Sequence, residues 1–204
     1  MLQPERIQER FQTENSASSR PSYNVSPGQT QLVITNKGTR TIESMAWGIM
    51  PSWAKESGKA LINARSETLA EKPTFRDAFK NRRCLVPASG YYEWKREDGN
   101  KIPYYFYRTD EPLFAFAGLY SEDGKYVIVT TAASQVISHI HDRMPVILST
   151  DGEKHWLDNE NKDPQGLQEL LVPFISDGLK YHEVSKEVGN AASNFLELIK
   201  PLNE

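Results

Sequence analysis

A chain of 204 residues can bury a core of its own, and positions 1–204 read as a single domain. Its 38% hydrophobic and 25% charged residues exclude an intrinsically disordered chain, and no apolar run approaches the length of a membrane-spanning helix. One cysteine excludes an internal disulfide, and a formal net charge of −3 excludes nucleic-acid binding driven by overall positive charge.

That average conceals an asymmetry. Trp53 to Arg83 carries 8 basic and 4 acidic residues, whereas Asp151 to Glu204 carries 5 basic and 11 acidic, so one basic face remains available to phosphate. Nothing at the N-terminus reads as a signal peptide, which together with the lone cysteine points to the cytoplasm.

In chain order, Pro4 to Phe11 predicts a short amphipathic helix, with Ile7 and Phe11 four apart on one face. Polar Gln12 to Ser22 predicts a loop, Tyr23 to Gln29 a turn-rich segment, and Gln31 to Thr35 a strand. Asn36-Lys37-Gly38 is a hairpin signal, after which the β-rich stretch Thr39 to Met50 predicts two strands. Pro73 opens a helix to about Lys80, with Phe75 and Phe79 facing the core. A strand running from Cys84 to Trp94 follows. Glu97-Asp98-Gly99-Asn100 makes a tight turn, and Tyr104–Tyr107, Phe114–Tyr120 and Tyr126–Ala132 predict three further strands. Ser134 to His141 is a short helix or loop, and Met144 to Leu148 is an apolar run. Asp151–Leu157 and Pro164–Leu171 predict helices, the first with Asp151 as its cap. Many closely spaced strands with a few scattered helices give an α+β fold dominated by antiparallel sheet.

Four stretches carry chemistry-bearing residues. Glu93 lies between Tyr92 and Trp94; strand alternation puts Tyr91, Glu93 and Lys95 on one face, which by itself makes Glu93 a surface carboxylate, the alternative being a cleft that raises its pKa. In Asn63-Ala-Arg-Ser-Glu-Thr68, the planar fork of Arg65 suits a phosphate or carboxylate, while Asn63 and Glu67 equally suit the organisation of a loop. His139 to Pro145 gathers two histidines, an acid and an arginine; His141 is an acid/base candidate, and the pair lacks the further ligands a metal site needs. Cys84 with His141 as base would make a thiol peptidase, but its apolar neighbours Leu85 and Val86 favour a buried small hydrophobe. Of the aromatics Trp53, Tyr91, Tyr92 and Trp94, Trp53 in the loop Pro51-Ser-Trp-Ala-Lys55 best suits stacking on an unpaired base.

Taken in order, Tyr23-Asn-Val-Ser-Pro27, Trp47-Gly-Ile-Met-Pro-Ser-Trp53, Asn63-Ala-Arg-Ser-Glu-Thr68, Phe75-Arg-Asp-Ala-Phe79, Arg83-Cys-Leu-Val-Pro87, Gly90-Tyr-Tyr-Glu-Trp94 and Ile140-His-Asp-Arg-Met-Pro145 resemble the SOS-response-associated peptidase (SRAP) family. The resemblance implies a single compact α+β domain with a barrel-like core, a few peripheral helices and a cleft for single-stranded DNA containing an abasic site. Asn63 would orient the reacting amine or sugar, Glu93 would transfer protons during ring opening, and His141 would act on the sugar as acid/base. Asn24, Arg65, Thr130 and Arg143 would meet phosphates or sugars, and Trp53 would stack near the lesion. It further implies no metal, cofactor or membrane, a monomer, and association with the nucleoid on damage.

Family members cross-link the lesion through a cysteine directly after the initiator methionine, which closes a thiazolidine. This chain begins Met1-Leu2-Gln3, so the strand carrying that cysteine is expected to be missing, through truncation or loss. Two alternatives stand beside the abasic-site reading: a thiol peptidase using Cys84 and His141, and a noncovalent single-stranded DNA binding module.

Overall fold

Strict two-residue alternation organises the central strands. In β1 (Thr30–Asn36), Leu32 and Ile34 join one apolar cluster and Val33 another. In β4 (Arg83–Ala88), Leu85 joins the first cluster while Cys84 and Val86 join the second. The same division runs through β7 (Phe114–Tyr120) and β8 (Lys125–Ala132): Ala115, Ala117, Val127 and Val129 on one side, Phe116, Tyr126 and Ile128 on the other. Both faces of these strands are therefore covered, which is why β7 is buried at every position and shows no polar stripe. The computed structural model describes residues 4–18, 22–51 and 58–202.

β1 pairs antiparallel with β2 (Arg40–Trp47) through a turn at Gly38, whose φ of +104° suits glycine. β1 also pairs antiparallel with β4, β4 with β7, and β7 with β8. A parallel pairing of β2 with β8 then closes these five strands into a ring of hydrogen bonds. β8 carries two short additions, β3 (Asn63–Arg65) in parallel and β9 (Arg143–Pro145) antiparallel. The first cluster lies against the helices: α1 (Pro4–Phe11) contributes Ile7 and Phe11, α2 (Pro73–Asn81) Phe75 and Phe79, α3 (Thr150–Leu157) Trp156 and Leu157, and α4 (Pro164–Glu169) Leu167. A second, three-stranded sheet sets β5 (Tyr91–Glu97) and β10 (Leu179–Glu183) on either side of β6 (Asn100–Arg108). The fold is α+β and mainly antiparallel, as expected, and the barrel-like core takes the form of the closed ring.

Several boundaries differ from the sequence reading. The stretch Cys84 to Trp94 is two strands in two sheets, broken at Ser89-Gly90. A continuous apolar run conceals this corner, which depends on Gly90: a Cβ there would overlap the Tyr105 ring and the Phe106 carbonyl. Thr39 to Met50 holds one strand, after which Gly48 at φ +127° redirects the chain to an isolated bridge between Ile49 and Leu61. Ser149 rather than Asp151 caps α3, its hydroxyl oxygen accepting from the Gly152 N–H at 3.1 Å. β3 and β10 are additional, whereas Ser134 to His141 forms turns, the loop alternative of its reading.

Candidate active site and nucleic-acid interface

The corner at Gly90 sends β5 across the second-cluster side of the ring, and a cavity of about 530 Å³ opens there, where the two sheets meet. β3 brings Asn63 to its wall, β8 Thr130, β5 Glu93, and the turn before β9 His141. Ala64 is buried and Asn63 and Arg65 are exposed, as alternation requires of a three-residue strand lying on β8. Asn63, Glu93 and His141, drawn from three separate motifs, thus line one cavity.

Glu93 is no surface carboxylate: its side chain is 23% exposed, and burial pushes its carboxyl pKa above the ordinary value. The nearby Asp142 adds to the rise, while His141 and the Trp94 N–H oppose it. Nε2 of His141 lies 3.9 Å from Glu93 Oε2, too far for a direct hydrogen bond but close enough for both to reach one small group between them. On the other side of the imidazole, Nδ1 is 3.0 Å from the backbone N–H of Arg143 and 3.1 Å from its carbonyl oxygen. Accepting from that N–H places the proton of the neutral ring on Nε2, facing Glu93; a protonated ring donates to the carbonyl instead. The backbone of β9 can therefore hold the ring through both charge states.

The expected DNA contacts are placed unequally. Arg65 is exposed, and its guanidinium makes no hydrogen bond or ion pair among the described residues. Thr130 lines the cavity, and its carbonyl oxygen accepts from Arg143 Nη2 at 2.6 Å. Arg143 is already engaged by Glu67 through both terminal nitrogens, at 2.6 and 3.0 Å. Asn24, expected to meet phosphates or sugars, lines the cavity but is buried, and its amide nitrogen donates to the carbonyl oxygens of Val188, Asn190 and Ser193 at 3.0, 3.0 and 3.1 Å. Its donors are spent tying the C-terminal segment to the cavity wall. Trp53 lies outside the described residues.

Cys84 and His141 do not form a nucleophile and base. Cys84 is fully buried in the second cluster, apart from the cavity that His141 lines, and burial pushes its thiol pKa far above the ordinary value. Among the described residues, no group of three or more His, Cys, Asp or Glu is placed to hold a metal ion, and no helix is long and apolar enough to cross a membrane.

Two residues take on more than the sequence reading gave them. Tyr91, one of the candidate stacking aromatics, instead stacks on Phe106 with ring centroids 5.0 Å apart and lines the cavity, its buried hydroxyl without a hydrogen-bond partner among the described residues. Glu67 read as a loop organiser, because nothing nearby in the chain announces its ion pair with Arg143.

Comparison with known proteins places the chain beside a single family. The family described as SOS response associated peptidase (SRAP) matches residues 1–191. The abasic site processing protein YoqW of Bacillus subtilis strain 168 is 44% identical over 192 residues, covering 88% of this chain and 86% of its own. The abasic site processing protein YedK of Escherichia coli K12 is 32% identical over 189 residues, covering 88% and 84%. A crystal structure of a protein from Bacteroides thetaiotaomicron superposes with a TM-score of 0.75 at 30% identity, covering 85% of this chain and 82% of that one.

Proposed function

Because the chain belongs to the SOS response associated peptidase family, we propose that it senses abasic sites in single-stranded DNA as part of the response to DNA damage. The observation that carries this reading is the convergence of Asn63, Glu93 and His141 on one open cavity, with a buried carboxylate and an imidazole set to share a small polar group.

An abasic sugar rests mainly as a closed hemiacetal. Opening it takes a proton from the anomeric hydroxyl and gives one to the ring oxygen, exposing an aldehyde. A primary amine adds to that aldehyde as a carbinolamine, which loses water to leave an imine once its hydroxyl is protonated. Every step moves a proton at an oxygen or nitrogen, and each benefits from a positioned acid and base. Glu93, its pKa raised by burial, exchanges protons with the sugar oxygens from one side. His141 does so through Nε2 from the other. The Asn63 amide orients the sugar or the amine. Cys84 is the single thiol of the sequence and is buried, so the thiol of a thiazolidine would have to come from elsewhere.

Unpaired DNA suits the cavity, since an open wall of aromatic and polar side chains accommodates a displaced sugar that a stacked duplex would hold back. Arg65 supplies a free cation for phosphate and Thr130 a polar edge, with Trp53 as a stacking surface. Asn24 contributes by fixing the C-terminal wall. The test is fluorescence anisotropy of the full chain with labelled strands that are identical except for one abasic site, together with borohydride trapping on a denaturing gel. The abasic single strand should bind more tightly than the intact strand or the duplex and yield a trapped adduct. Equal affinity for abasic and intact strands would overturn the proposal.

A further inference from the structure

Thr130, on the cavity wall, sits at the centre of a three-strand arrangement. Its register partners are Arg65 of β3 on one side and Pro145 of β9 on the other. Two residues beyond Arg65 comes Glu67, and two residues before Pro145 comes Arg143, so the end of β8 lies between an acid and a base. They meet end-on: Arg143 Nη1 lies 2.6 Å from Glu67 Oε1 and Nη2 lies 3.0 Å from Oε2, while Nη2 also donates to the Thr130 carbonyl at 2.6 Å. Arg143 is 19% exposed and Glu67 49% exposed. The cation is thus the more recessed partner, and the carboxylate is the solvent-facing one.

A carboxylate and a phosphodiester present the same pair of oxygens to a guanidinium fork. The Glu67 carboxylate therefore occupies the face of Arg143 on which a strand phosphate would lie. We infer that Glu67 is an internal stand-in for phosphate: DNA gains Arg143 only by displacing it, and Glu67 thereby sets the strength and salt dependence with which single strands are held. The inference rests on the reading of the cavity as a strand-binding site and adds to it a residue that tunes that binding. The half-exposed carboxylate leaves the pair open to exchange with a competing anion from solvent. The exchange is also selective, since only an anion that grips the fork with two oxygens replaces what it removes.

The consequences differ from those of a residue that merely props Arg143 in place. In the parent chain, the phosphate contact to Arg143 replaces an existing ion pair, so no net cation becomes newly neutralised. With Glu67→Gln, the same contact is a net gain. The intact single strand should then bind about three- to tenfold more tightly, and the slope of log affinity against log salt should steepen by about 0.7, the increment for one phosphate of a single strand. The gain should fall below about twofold when Glu67→Gln is made in an Arg143→Gln background, because the contested fork is gone.

The experiment is anisotropy with an undamaged labelled single strand across a salt series, on the parent, both single variants and the double variant, with thermal melting to confirm that each is folded. Tighter binding by Glu67→Gln that depends on Arg143 supports the inference. Weaker or unchanged binding by folded Glu67→Gln overturns it, as does an equal gain with and without Arg143, which would indicate general charge repulsion. A parent chain that binds no single strand would overturn the strand-binding reading itself, and the inference with it.

Discussion

Arg83→Met removes five hydrogen bonds at once. Arg83 is 1% exposed, yet among the described residues it faces no carboxylate at bonding distance; its guanidinium spends all five N–H groups on backbone carbonyls. Nε donates to Trp156 at 2.6 Å, Nη1 to Phe79 and Lys80 at 2.9 and 2.8 Å, and Nη2 to Asp158 and Asn161 at 2.5 and 3.1 Å. These carbonyls close the C-terminal ends of α2 and α3, where helix oxygens lack partners and the dipole favours a cation. The bonds to Trp156 and Phe79 are buried, and the other three reach the edge of the protein. Leaving two buried acceptors bare costs about 1–3 kcal/mol each and three half-buried ones less, so Arg83→Met should lose about 4 kcal/mol of stability. For a chain of this size that corresponds to a fall in Tm of about 8–16 °C. Arg83→Lys keeps the charge but has only three donors on one nitrogen, and should lose about half as much. Thermal and urea unfolding of the three proteins measure the series. A loss within about 1 kcal/mol for Arg83→Met would refute the reasoning, since it would mean that apolar volume replaces the clamp as well as hydrogen bonds do.

The raised pKa of Glu93 has a definite sign. An acid whose folded pKa lies above its unfolded value contributes stability that is present below about pH 4.3 and is lost as pH rises through the folded pKa. Glu93→Gln should therefore gain stability relative to the parent between pH 4 and pH 8, by about 1.4 kcal/mol for each unit by which the pKa is raised, and melting at both pH values checks it. The same substitution should slow formation of the borohydride-trapped adduct by about 10²-fold or more, as expected for loss of a positioned proton-transfer group. At the corner, Gly90→Ala forces the new methyl into Tyr105 and the Phe106 carbonyl. It should cost about 2 kcal/mol or more and weaken abasic-strand binding alongside, since β5 must shift; unchanged stability in a melt would contradict that.

Local physical chemistry was enough for much of the fold. The i, i+4 pair Ile7 and Phe11 and the opening Pro73 marked α1 and α2, and β-branched and aromatic runs marked β7 and β8, because periodicity and helix starts are decided by residues close in sequence. The resemblance of seven ordered motifs also pointed to Asn63, Glu93 and His141, whose gathering around one cavity the tertiary structure then displays. β3 was illegible because three residues show no period and its partner strand lies far along the chain.

Partner choice was likewise beyond the sequence. Asn24, Arg143 and Cys84 each carry groups suited to DNA or catalysis. Folding spends the Asn24 amide on three carbonyls, sets Arg143 on Glu67, and seals the Cys84 thiol among Val33, Met45 and Tyr126. The amino-acid sequence by itself determined which donors, acceptors and charges the chain possesses and which segments carry a helix or strand period. Only the tertiary structure decided which of those groups remain free to meet a ligand, because hydrogen bonds and burial are settled between residues that the chain brings together from a distance.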